Sequence, residues 1–302
     1  MAERVPKIPG IRFDAIAGRG GMSIVWKAYH QRLDKVVAVK VMNQEATRTG
    51  QEIRQFMEEA RAMTAIRHPC VVHGYEADCC NGRYYFVMDY VGGYTFASLL
   101  GRKGHVAEAD ALVICDSVAE ALGYAWKEHN VIHCDVKPEN IMVDMDGLVK
   151  IADLGLCRVM SNRRKAQTGP VDEIIGTPAY MSPDQIFADQ PLDPRCDIYC
   201  LGASLYHLAT GHMLFPDDDN DATLKAHVDD ACRAPYPREL MPSLSVGFSR
   251  MLIKMCVKNR ELRYRSWEEV LADSRLVQRG QLPAPPPAGA ISSVKDEPPG
   301  VV

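Results

Sequence analysis

No stretch of this 302-residue sequence approaches the roughly 18 consecutive apolar residues that a membrane-spanning helix requires. The first ten residues, with Arg4, Pro6, Lys7 and Pro9 among them, hold no apolar signal core, so a cytoplasmic protein with no membrane partner is expected. Basic charge is not in excess either. Against 39 Asp and Glu stand 35 Lys and Arg, giving a net charge of -4 and a pI near 6.1, which removes the electrostatic basis for a nucleic-acid partner. Any anionic ligand must therefore be held locally. The ten cysteines include no C-x-x-C pair, which argues against zinc ribbons and a small disulfide framework and leaves reduced, mostly buried thiols. Internal repeats are absent, and the acidic run Asp217-Asp218-Asp219-Asn220-Asp221 lacks calcium-loop spacing, so it reads as a solvated loop. What is present is a globular composition, 47% hydrophobic and 25% charged, long enough for two domains or one two-lobed enzyme.

The two parts of the chain differ in class. From Ile11 to Val41 the pattern is strand, glycine-rich turn, strand, turn, strand, with Ile24, Val25, Trp26, Val36, Val37 and Val39 as β-formers. Residues 51–67 space Ile53, Phe56, Met57, Ala60 and Met63 as a helix that His68-Pro69 stops. Strands over 71–77 and 84–91 flank Asn81-Gly82, a tight-turn dipeptide, and complete a five-stranded antiparallel sheet with one helix. Gly92-Gly93 breaks that pattern. Helical spacing then dominates, over 95–100, 107–129, 194–210, 223–229, 245–256 and 266–272, interrupted by short apolar runs at 131–132, 141–143 and 149–151 that suit brief strands beside a cleft. The last 25 residues, 278–302, carry six prolines and few large apolar side chains, and are expected to be a disordered tail.

Three segments carry chemistry. In Gly18-Arg19-Gly20-Gly21-Met22-Ser23, missing Cβ atoms let backbone N–H groups approach phosphate oxygens, although an ordinary glycine hairpin accounts for the same letters. A dinucleotide fingerprint is excluded, because residues 24–29 read as a strand where a helix is needed. Val37-Ala38-Val39-Lys40 sets one ammonium at the end of an apolar strand, where either a snorkel to water or an acidic partner must satisfy it. Glu59 is the candidate partner, one helical turn before Met63 on the apolar face, with Glu58 more outward. The third segment is His133-Cys134-Asp135-Val136-Lys137-Pro138-Glu139-Asn140, followed by Asp153-Leu154-Gly155.

Together and in this order, these residues resemble the signature set of the eukaryotic-type Ser/Thr protein kinase family, in particular soluble relatives of bacterial signalling kinases, over about 11–272. The resemblance implies an α+β, two-lobed protein-kinase fold: a kinase domain over 11–277, with an N-lobe at 11–90, a hinge at 89–93 and a C-lobe at 94–277. It implies ATP and Mg2+ as cofactors and γ-phosphoryl transfer to Ser or Thr hydroxyls of protein substrates, with a catalytically silent nucleotide-binding scaffold and a small-molecule kinase as the alternatives. Asp135 would accept or orient the hydroxyl proton, Lys137 would offset developing charge, and Asn140 and Asp153 would supply oxygen ligands to magnesium. Lys40, held by Glu59, would contact the α and β phosphates. Ala17, Gly18, Gly20, Gly21, Met22 and Ser23 would cover the phosphates. Adenine would lie between Val25 with Ala38 and Met142, with Met88 at the inner end and the backbone of Asp89, Tyr90 and Val91 as hinge. Thr177, in the segment 176–184, would approach Asp135 and Lys137. Asp197 would accept N–H bonds from the catalytic loop, and Arg263 would pair with Asp184. Cys196 and Cys200 share a helix face without further ligands at metal spacing, which assigns them to core packing.

The sequence departs from the family at Ser23 (for the third glycine), Asp184 (for Glu), Leu154 (for Phe) and, with most consequence, Cys134 for Arg. That arginine couples activity to a phosphorylated activation segment, so the coupling is expected to be weak or absent here. Arg158, Arg163, Arg164 and Lys165 remain to hold a phosphate on Ser161, Thr168 or Thr177 without making it an on-switch. Phosphatase-treated and untreated protein should therefore transfer phosphoryl groups at equal rates, and a large gap between them would contradict this reading.

Overall fold

The computed structural model describes residues 5–21, 23–43, 50–153, 158–159, 177–216 and 218–287. Met22, Leu154, Gly155, the residues 161–168, Gly176 and the segment 288–302 lie outside the described residues, as does the Arg158 side chain.

Strands β1 (Ile11–Arg19), β2 (Ser23–His30) and β3 (Lys35–Met42) form an antiparallel meander. Helix α1 (Gly50–Ala65) follows, and β4 (Gly74–Cys80) and β5 (Arg83–Asp89) complete a five-stranded sheet of order β1-β2-β3-β5-β4. Asn81 and Gly82 both take positive φ, as their two-residue hairpin demands. Period-two alternation sorts the sheet's faces. Ile24, Trp26, Val37, Val39, Val41 and Val87 pack on one side, capped by Ile8. On the other side Ala38, Met42, Phe86 and Met88 join the main core, together with Phe56, Ala60 and Met63 of α1. Lys40, between Ala38 and Met42, shares their face.

The remainder is helix-rich. A short β6 (Tyr94–Thr95) leads into α2 (Phe96–Lys103), followed by α3 (Glu108–His129), β7 (Val131–Ile132), β8 (Ile141–Val143), β9 (Val149–Ile151) and β10 (Arg158–Val159). Then come α4 (Pro183–Phe187), α5 (Pro194–Thr210), α6 (Asn220–Val228), α7 (Pro237–Leu240), α8 (Val246–Met255) and α9 (Trp267–Gln278). Helix α5 runs through the interior, nearly all its residues buried. Its ends obey capping chemistry: Asp193 accepts from the Arg195 N–H, Pro194 opens the first turn, and Gly211 at φ 77° closes the last.

Several elements differ from expectation, each for a local reason. The strand expected over 71–77 begins only at Gly74, because the chain around Val71 instead forms a bridge to Ile151, whose N–H donates to the Cys70 carbonyl and whose carbonyl accepts from Val72, and so ties the sheet half to the helical half. Thr95 is not helical; its hydroxyl caps α2 by accepting the Ser98 N–H. Asp219, read as part of a solvated run, caps α6 and moves that helix's start to Asn220. Helix α9 continues six residues past Ala272, and beyond it Pro283 is buried against α8, its carbonyl accepting from Arg250 at 3.2 Å.

His227 on α6 is buried without any exposed surface, its Nδ1 2.7 Å from the Tyr199 hydroxyl. Burial, reinforced by Lys258 and opposed by the carbonyls of Ala179 and Pro178, lowers its pKa to about 4 from an ordinary 6.5. Above pH 6.5 neither state carries the charge. As pH falls the unfolded chain takes the proton first, so stability is lost between about 6.5 and 4, on the order of 3 kcal/mol. Thermal melts across that window should show a shallower decline for His227→Gln than for the parent protein, and parallel declines would refute the assignment.

Candidate active site

Lys40 Nζ lies 2.7 Å from Glu59 Oε1 and 2.5 Å from Asp153 Oδ1. Helix pitch turns Glu59 inward, 7% exposed, and leaves Glu58 at the surface, as the spacing predicts. Burial opposes the ammonium, but Asp153 and Glu59 outweigh it and raise the Lys40 pKa. One cation between two carboxylates divides them: Asp153, despite burial, is held below its ordinary value by Lys40, whereas burial pushes Glu59 up to about 7. Asp153 also sits in the left-handed region, φ 58°, which a non-glycine residue holds only when its surroundings compel it.

The loop between β7 and β8 gathers a second group. Lys137 Nζ lies 2.7 Å from Asp135 Oδ2 and donates to the Thr177 hydroxyl at 2.6 Å, while that hydroxyl is 3.3 Å from Asp135 Oδ1. Asn140 Nδ2 donates to the Asp135 carbonyl at 2.8 Å and to Oδ2 at 3.1 Å. The amide nitrogen is thus committed, and the Asn140 oxygen is left as the acceptor. Asp135, Lys137, Asn140 and Thr177 therefore form one bonded cluster, and Lys40, Glu59 and Asp153 another. His133 links the two: its Nδ1 accepts from the Asp135 N–H and its Nε2 donates to the carbonyl of Ala152, the residue before Asp153.

Asp197, in the first turn of α5, supports the loop from below. Its carboxylate accepts the N–H groups of His133 at 2.7 Å and Cys134 at 2.8 Å. Burial raises its pKa, while those bonds and the helix N-terminus favour the charged form. Arg263 meets Asp184 at 2.6 Å, so the shorter acid still reaches. Sequence reasoning missed two supports. Gln185 donates to the Cys134 carbonyl at 2.7 Å, and Ser204 donates to the Val136 carbonyl at 3.1 Å. Gln185 did leave a signal, since Ser182-Pro183-Asp184-Gln185 is a capping-box pattern and Ser182 caps α4.

Toward the sheet, Ala38 and Met88 are cross-strand partners, and both lie with Val25, Tyr90, Val91 and Met142 in one apolar cluster. Past β5 the chain runs through Asp89, Tyr90 and Val91. Burial works against the Asp89 carboxylate, yet bonds from Tyr75 and Lys35 hold its pKa below the ordinary value. Tyr90 carries the Lys27 ammonium over its ring at 4.9 Å. Gly93 presses so closely on β8 that a Cβ there would fall 1.8 Å from the Val143 carbonyl oxygen. At the β1–β2 turn, Gly18 opposes Val25, the Gly20 N–H donates to Ser23 at 2.8 Å, and the Gly21 carbonyl accepts from Asn43 at 3.0 Å. Ala17 is exposed on β1, and Ser23 is buried opposite Met42.

A family profile described as a protein kinase domain matches residues 12–274. The serine/threonine-protein kinase PknB of Mycolicibacterium smegmatis is 35% identical over 277 residues, 90% of this chain and 43% of that protein. PknB of Mycobacterium tuberculosis is 34% identical over 275 residues, with coverage of 90% and 43%. A probable serine/threonine-protein kinase of Clostridium acetobutylicum is 32% identical over 254 residues, with coverage of 84% and 38%. The chain spans less than half the length of these relatives. With the five-stranded sheet, the helix-rich remainder and the profile all in agreement, the chain belongs to the protein kinase family.

Proposed function

We propose that this chain is a serine/threonine-protein kinase that transfers the γ-phosphoryl group of ATP, with magnesium, to Ser or Thr hydroxyls of proteins in signalling. The observation that carries this reading is the bonded cluster of Asp135, Lys137, Asn140 and Thr177 joined through His133 to the Lys40–Asp153 pair. The kinase domain is assigned to 11–277, with lobes at 11–90 and 94–277 joined at 89–93, and 278–302 forms a proline-rich tail. A cytoplasmic setting accords with nine free thiols among the described residues.

Each side chain then has a task. The hydroxyl oxygen of the acceptor attacks the γ-phosphorus as the bond to the β-phosphate oxygen breaks, and Asp135 orients that hydroxyl and takes its proton. Lys137, already bonded to Asp135 and Thr177, offsets charge on the transferring group. Lys40 contacts the α and β phosphates and is kept charged by Glu59. Val25, Ala38 and Met142 enclose the base, Met88 closes the inner end, and the backbone of 89–91 bonds its edge. Ala17, Gly18, Gly20, Gly21, Met22 and Ser23 cover the phosphates. The residues fit a magnesium ion: Asp153 is held ionised, and Asn140 keeps a free amide oxygen, both hard donors. When bound there, magnesium neutralises phosphate charge. The resemblance of residues 176–184 to a peptide-docking loop favours a polypeptide acceptor over a small metabolite, and a groove of about 370 Å³ lined by Leu100, Pro138, Glu139, Tyr180, His207 and Met213 lies beside the catalytic loop.

Incubation with labelled ATP, magnesium and a generic basic protein should put label on Ser and Thr, and Asp135→Asn should lower the rate on the order of 100- to 10,000-fold, or roughly 3 to 5.5 kcal/mol. A scaffold without catalysis would have no rate to lose, and labelled metabolites without labelled protein would favour a small-molecule kinase. Lys40→Ala should weaken nucleotide binding and lower the melting midpoint together, because the buried Glu59 and the half-buried Asp153 lose the cation they share, a loss of up to about 3 kcal/mol. Unchanged affinity for nucleotide in that variant would contradict the role given to Lys40.

A further inference from the structure

The catalytic loop rests on sulfur. Cys134, one residue before Asp135, is 5% exposed and shares a small buried cluster with Cys196 (1%), Ile132 and Leu192. The two sulfur atoms lie within 4.8 Å of each other, and both thiols are free. They come from different segments, the loop and the first turn of α5, so a bond between them would couple loop to helix. A carboxylate oxygen of Asp197 falls within the same distance. That carboxylate already accepts two backbone N–H groups, which leaves a metal ion only two uncommitted ligands where a structural zinc site needs four.

We propose that Cys134 and Cys196 form a reversible disulfide on exposure to a hydroperoxide, and that this bond switches catalysis off by drawing the loop toward α5. One thiol sulfur attacks the peroxide O–O bond and becomes a sulfenic acid as the alcohol, or water from hydrogen peroxide, departs. The second thiol then displaces the hydroxyl: the S–S bond forms, the S–O bond breaks and water leaves. Two thiols are oxidised by two electrons in all, and the peroxide is reduced. A disulfide is about 2.05 Å long, so two unbonded sulfurs now within 4.8 Å of each other must close the difference. Cys134 is already at a left-handed φ of 65° and has little freedom to absorb that movement alone. Asp135 moves with it, and a shift of about 1 Å in a reacting group costs on the order of 100-fold in rate. Burial holds the Cys196 thiol protonated, so the oxidation proceeds through transient opening of the loop and is slow.

The bond itself stands apart from the function proposed above, whereas its inhibitory effect rests on that reading. The test treats the full chain with hydrogen peroxide, blocks remaining thiols, maps peptides without reduction, and assays phosphoryl transfer before and after dithiothreitol. The expected result is a peptide pair joined through Cys134 and Cys196, an activity loss of about 100-fold, recovery on reduction, and a Cys196→Ala protein that keeps its activity through the same treatment. Joined peptides with unchanged activity, or activity loss with oxidation mapped only elsewhere, overturn the proposal. If Cys196→Ala does not fold, mapping and recovery in the unaltered chain decide the matter. A chain inactive before oxidation would sink the kinase reading, and the joined peptides, present or absent, would still decide the bond.

Discussion

Lys40 stands between two carboxylates, and that shortage of positive charge organises the space between sheet and helical half. An ammonium 2.7 Å from Glu59 and 2.5 Å from Asp153 joins β3, α1 and the segment after β9 through one side chain. In a low-dielectric interior such an arrangement is tolerable only while each acid remains within reach of the cation. Burial already pushes Glu59 toward neutrality, which leaves Asp153 as the better-compensated anion. The site is thus poised for a further cation, and the nucleotide phosphates would in turn bring anionic oxygens to Lys40.

The loop bearing Asp135 is held by a different logic. Its backbone has no regular partner strand along most of its length, so side chains take over the hydrogen bonding: Asp197 receives two N–H groups, Gln185 and Ser204 reach two carbonyls, and Asn140 clasps the turn. These bonds over-determine the conformation. They allow Cys134, near the start of the loop, to stay at φ 65°, where an isolated residue would relax.

Much of this was legible before any coordinates. Alternation along Val37-Ala38-Val39-Lys40 and the helical spacing of Phe56, Ala60 and Met63 sufficed to turn Lys40 and Glu59 toward each other, because both periods are properties of the backbone itself. The helical spacing over 194–210 likewise matched α5. What stayed hidden depends on pairs far apart in the chain: the grip of Asp153 on Lys40, the bridge from Val71 to Ile151, and the meeting of Cys134 with Cys196. Helical spacing associated Cys196 with Cys200 and had no means of seeing a loop approach from another direction. The strand β6 was hidden too, since two residues carry no period.

Arg263 has a wider effect than its distance from Asp135 suggests. Its guanidinium is fully enclosed and donates to the carbonyls of Val257, Lys258 and Arg195 while it meets Asp184. Three stretches of chain besides its own therefore share one planar group, and the segment of Asp184 cannot peel away without stranding a charge in the interior. The segment holding Asp184 is short and loop-flanked, the kind of region that ordinarily frays on its own. Fastened in this way it opens only when the helical half opens as a cooperative block, so its amide protons should exchange with solvent on the timescale of α5 rather than of a surface turn.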